Sequence, residues 1–153
     1  MAFGVNPFDW RTVVLAKHAQ HVALIHFPIA LFIAAAGFDF AWARFKRPEL
    51  AGVVFWNMCV AALASLPTLA TGLIAWQWEL EGQRLKGTLL LHLLAAVSSA
   101  IVIWLSFMIH VRVRRTRPDT LLVARLILES AGVALLMLTG HLGGFLSGVN
   151  GAP

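Results

Sequence analysis

Four long apolar runs, separated by short polar linkers, account for most of the chain. They extend from about His21 to Ala43, Leu50 to Trp78, Thr88 to Val111 and Leu121 to Phe145. A helix needs about 20 apolar residues, at 1.5 Å rise each, to cross the hydrocarbon of a bilayer, and every run is that long. The linkers, RFKRPEL, ELEGQRLKG and RVRRTRPDT, hold the helix breakers and most of the charge. Short linkers make sequential helices antiparallel neighbours. The pattern predicts an all-α fold, a polytopic membrane protein built as an antiparallel four-transmembrane-helix bundle, in a single domain covering residues 1–153. No internal repeat or soluble second domain is visible.

Composition agrees with this and sets the orientation. Residues are 59% hydrophobic and 12% charged, against about 25% charged in a soluble domain. The formal charge of +5 is a topology signal rather than a nucleic-acid footprint, because no recognition element accompanies it. Arg44, Lys46 and Arg47 fill the first linker, and Arg112, Arg114, Arg115 and Arg117 the third. With four spans these linkers share one side, and the positive-inside rule makes it cytoplasmic. Both termini are then expected on the periplasmic side of a bacterial inner (plasma) membrane. Trp76 and Trp78 end the second span as an interfacial belt would. Residues 1–17 lack the basic start and small-residue cleavage site of a secretory signal and are expected to be retained, with Trp10 at the interface. Cys59 is alone in an apolar run and reads as a buried small hydrophobe.

Six histidines in so apolar a chain are the main chemical signal. Ionisable residues inside membrane spans are costly and mark candidate sites. Neutral imidazole is also a ligand for haem iron, copper and zinc. Counting along the helices puts His26, His92 and His141 at one height, roughly 7–8 Å below the outer face. Small residues flank them: Ala30 and Gly37 on the His26 face, Ala95, Ala96 and Ser99 below His92, and Gly140, Gly143 and Gly144 around His141. Small residues permit close helix packing and also leave room for a flat macrocycle. His21 lies about 140° around the helix from His26, so it serves a second site or caps the helix entry. His18 reads as interfacial. His110, about 27 Å deeper than His92, is expected to snorkel with Arg112 toward lipid phosphates. In the inner halves of the first and fourth spans, Asp39, Arg125 and Glu129 read first as a structural charge cluster and second as a proton route or quinone-site acid. Pro28 and Pro67 predict kinks.

The stretches HVALIHFPIAL (His21–Leu31) and TGHLGG (Thr139–Gly144), with TGLIAW (Thr71–Trp76) and Arg84 followed by His92, resemble a bacterial four-span membrane family catalogued as domain of unknown function 2231. The resemblance covers about residues 18–148. Members usually carry proline where this chain has Val22, and often an acid where it has Ala75. The resemblance implies a site at His21, His26, His92 and His141, and a setting among redox proteins and c-type cytochromes.

Three functions follow as expectations. The first is a b-type cytochrome-like electron-transfer subunit, not a stand-alone enzyme. It would hold one haem b, or two, with His26 and His92 or His141 as axial ligands. It would exchange electrons with a periplasmic cytochrome or quinol, beside other subunits of a redox complex. The second is a copper or zinc site built from His26, His92 and His141. The third is a cofactor-free membrane anchor or assembly subunit. Beyond the lipid bilayer, quinone is a further candidate partner, and nucleic acid is not.

Overall fold

The computed structural model describes residues 17–82, 84–116 and 121–148. The side chains of residues 17–19 and 79 lie outside that description, and with them the expectation for His18; those for Trp10 and Arg117 lie outside it too. Four helices make up the fold: α1 Lys17–Phe45, α2 Pro48–Glu79, α3 Gly87–Arg115 and α4 Leu122–Leu146. All four are long and apolar enough to cross a membrane. The shortest has 25 residues, about 37 Å of helix against roughly 30 Å of hydrocarbon. The helices overrun the apolar runs by a few residues at most ends, because the backbone keeps its internal hydrogen bonds past the last apolar position.

Local chemistry fixes the ends. Lys46 takes the left-handed conformation (φ 53°) and its N–H closes on the Trp42 carbonyl at 2.8 Å. Pro48 opens α2 at the first helical turn, where its missing N–H costs nothing. After α2, Glu81 and Gly82 are both left-handed, and the Gly82 N–H returns to the Trp76 carbonyl at 3.2 Å.

Sequential helices pack side by side, and α4 closes the ring against α1, so α1 lies diagonally across from α3. The interior is made of small and polar residues. Ala35, Ala36, Ala61, Ala62, Ala95 and Ala100 are buried around Phe32, Met58 and Ile103. Large apolar side chains point outward instead; Val123, Ile127 and Met137 are 65–70% exposed. This inside-out distribution suits hydrocarbon as solvent, where close packing of small residues holds helices together.

Pro28 shows how sequence and packing interlock. Its ring removes the donor that the Leu24 carbonyl would meet in an unbroken helix. Thr68 of α2 donates its hydroxyl to that carbonyl at 3.3 Å, shared with its own Ala64 carbonyl at 2.9 Å. The polar group freed by the proline is thereby satisfied inside the bundle.

Gly132 is the tightest point of the core. A Cβ there would meet the Phe32 ring at 2.7 Å and Val102 at 2.8 Å. Phe32 is fully buried and has nowhere to retreat. Gly132→Ala is expected to destabilise the protein despite alanine's helix preference of about 1 kcal/mol, because overpacking costs about 1–3 kcal/mol. Gly37, whose missing Cβ faces open space, is the control: Gly37→Ala raises stability. Thermal unfolding in detergent separates the two.

Candidate functional site

The histidine end of the bundle holds a cavity of about 420 Å3, lined by residues from all four helices. Its walls are mainly apolar, interrupted by Ser65, Thr68, Ser99 and Thr139 and by His21, His26 and His92. Pro28 and Gly72, and Gly140, Gly143 and Gly144 of α4, complete it.

Each histidine is held through Nδ1. His26, on α1, donates Nδ1–H to the Val22 carbonyl at 2.7 Å, one turn back on its own helix. His92, on α3, donates Nδ1–H across the interface to the Thr139 carbonyl of α4 at 3.1 Å. A carbonyl only accepts, so Nδ1 carries the proton in both rings. In the neutral ring Nε2 is then a bare lone pair, the form that binds a metal. Among the described residues neither Nε2 has a protein partner. His21 Nδ1 meets the Thr71 hydroxyl at 3.2 Å. That hydroxyl spends its proton on the Pro67 and Thr68 carbonyls, so His21 is the donor there as well.

Glycine makes room for two of these rings. A Cβ on Gly72 would stand 2.9 Å from His21 Cε1, and one on Gly143 would stand 3.2 Å from His92 Cε1. Thr139 is fixed in turn: its hydroxyl donates to the Leu135 carbonyl at 2.8 Å and accepts from Ser99 at 3.1 Å.

The structure thus brings His21, His26 and His92 to one cavity and leaves His141 outside its lining. His141 is exposed and packs edge-on against Phe145, ring centres 4.9 Å apart. The TGHLGG segment contributes a carbonyl and three glycines to the cavity, not its imidazole. The sequence offers Thr68 and Gly72, beside Pro67, as a cavity wall on α2 and Ser99 as a neighbour of His92, and all three line the cavity; Ser65 and Thr139 escape the sequence reading as cavity residues.

A second polar group lies toward the basic end. Asp39 is 2% exposed, Arg125 3%, His110 6% and Glu129 0%. Arg125 of α4 grips Asp39 of α1 with two bonds, Nε to Oδ2 at 3.0 Å and Nη2 to Oδ1 at 2.7 Å. His110 Nε2 lies 2.8 Å from Glu129 Oε1 and 3.8 Å from Asp39 Oδ2. The expected charge cluster is therefore present, but Arg125 pairs across helices, and the expectation that His110 snorkels to lipid is overturned. His110 is on the interior face of α3, where a carboxylate offers a stronger partner than the headgroups. Among the described residues, Asp39, His110 and Glu129 are the group of three whose candidate ligand atoms lie within 4.8 Å of one another; the cavity histidines do not form such a group.

No curated protein and no solved structure matches this chain. A family model described as "Predicted membrane protein (DUF2231)" matches residues 17–152.

Proposed function

We propose that this chain, which belongs to the DUF2231 family of membrane proteins, is a b-type cytochrome-like electron-transfer subunit with one haem b in its histidine cavity. His26 and His92 would hold it, each through the Nε2 left free by its Nδ1 bond. One observation carries this reading. Two imidazoles on diagonally opposed helices line the same cavity, and each anchors Nδ1–H on a backbone carbonyl. That anchor is the usual second partner of a metal-ligating histidine, fixing its tautomer and orientation.

The surroundings suit the group. The cavity volume falls within the roughly 300–1,000 Å3 of small-molecule sites, and the lining is mainly apolar with few polar groups. Gly140, Gly143 and Gly144 offer a flat wall. Arg84 and Lys86 flank the lining residue Leu85 in sequence and would offer cations to the carboxylates of the bound group. When bound, haem supplies one-electron chemistry; the chain orients it, excludes water and sets its potential through apolar walls. With His26 and His92 assigned to one group, His21 is left without a second cavity histidine, which favours one haem over two. His21, tied to Thr71, shapes the wall beside it. The copper or zinc alternative needs His26, His92 and His141 together, and His141 does not line the cavity.

The positive-inside rule supports a position for the cavity near the periplasmic face of an inner membrane, because the basic linkers lie at the opposite end of the helices. Its partners there are a c-type cytochrome, a quinol or other subunits of a redox complex. The test is the visible spectrum of protein purified from a haem-sufficient host. A dithionite-reduced haem b α-band, with one haem per chain by pyridine haemochrome, supports the reading. Colourless protein with stoichiometric copper or zinc overturns it, as does colourless, metal-free protein that co-purifies with larger subunits.

A further inference from the structure

The polar group at the basic end is separate from the cavity. His110 lies about 27 Å further along α3 than His92. Its chemistry follows from counting charge in the bundle interior. Arg125 and Asp39 cancel within their two-bond pair. Glu129 remains, fully buried and facing His110, whose imidazole carries a charge only once it takes up a proton. Among the described residues no other charged side chain is buried beside it: α1 brings Asp39, α3 brings His110, α4 brings Arg125, and α2 has no charged residue between Leu50 and Trp78. An ionised Glu129 would leave one uncompensated negative charge inside the membrane, which is strongly unfavourable. One unit of positive charge restores neutrality.

Geometry selects its source. A separation of 2.8 Å between His110 Nε2 and Glu129 Oε1 is a direct hydrogen bond. An ion seated between nitrogen and oxygen, at about 2.0–2.2 Å from each, would hold them farther apart. A divalent ion would overshoot the missing charge, beside a guanidinium that already occupies both Asp39 oxygens. A hard monovalent ion seeks oxygen ligands rather than imidazole. Glu129 Oε2 points the same way: it is buried with no hydrogen-bond partner among the described residues, as is Ser106 Oγ one turn before His110. A carboxylate demands donors at both oxygens, whereas a neutral pair needs one strong bond.

We infer that His110 and Glu129 form a binding site for one exchangeable proton, held between Nε2 and Oε1. The proton comes from water at the basic end and returns there, and no bond between heavy atoms changes. Trp42 is buried between the cluster and the first basic linker, with the Arg125 guanidinium 5.3 Å and the Lys46 ammonium 4.5 Å from its ring centre. The inference rests on charge and packing alone and stands whether or not the cavity holds haem.

Infrared spectroscopy of the full chain in lipid bilayers tests it. At neutral pH the wild type is expected to show the C=O stretch of a protonated carboxylic acid, moved by deuterium exchange and by 13C-carboxyl glutamate. Glu129→Gln abolishes the band. Asp39→Asn abolishes it as well, although Glu129 is intact, because Glu129 then ionises against Arg125. The isotope arm needs no variant to fold. A wild type without the band overturns the inference, as does a band unmoved by labelled glutamate or surviving in Glu129→Gln. So does zinc or sodium binding at one ion per chain that Glu129→Gln removes.

Discussion

His26→Ala and His92→Ala are each expected to strip the purified protein of its haem b absorption, while His141→Ala leaves the spectrum and stoichiometry unchanged. The first two remove an Nε2 lone pair from opposite walls of the cavity. The third alters a ring that lies outside the cavity lining and meets Phe145 edge-on. The contrast is sharp because counting along the helices sets all three histidines at one height, so an assignment by depth predicts equal losses. A rigid wall acts on the same ligand indirectly. Gly143→Val presses on His92 Cε1, which a Cβ alone already approaches to 3.2 Å. It is expected to weaken haem binding by about 10–100-fold, the usual range for disturbing a ligand's support. Absorbance per chain and haem retention during dilution measure both effects. Equal loss in His141→Ala, or retention in His92→Ala, sinks the assignment of His26 and His92 as the residues that would hold haem.

Arg125→Ala is expected to be the most damaging single change to stability. It leaves Asp39 buried without its two-bond partner, and breaking a buried ion pair from one side costs about 3–5 kcal/mol. The double change Asp39→Leu with Arg125→Met is expected to recover most of that loss, because no charge is then stranded. Unfolding in increasing denaturing detergent, followed by tryptophan fluorescence, compares the two. A double variant as unstable as the single one would show that the pair is needed for its shape rather than its charge.

The spans and the bundle are legible in the sequence because hydrocarbon imposes a length and a polarity that few other environments require. Position along each helix is legible too, since helical rise is constant: His26 and His92 line one cavity with Gly140 and Gly143, the neighbours of His141. Rotation is not. Thr139 and Gly143 both face the cavity, and His141, two residues past Thr139, lies about 200° around the helix from it. His110 erred in the other direction. It follows the buried Ser99 and Ser106 on one face of α3, a polar stripe that marks an interior face, yet its nearness to Arg112 suggested lipid. The acceptors for His26 and His92 are main-chain carbonyls, which every residue possesses and no side-chain pattern reveals.

The bond from Thr68 to the Leu24 carbonyl bears on biogenesis. While the first helix stands alone in the lipid, the acceptor that Pro28 orphans has only hydrocarbon beside it. It finds its donor when the chain has been synthesised past Thr68 and the second helix docks. The two leading helices therefore mature as a zippered pair, and a nascent fragment ending before that threonine is the form most exposed to membrane quality control.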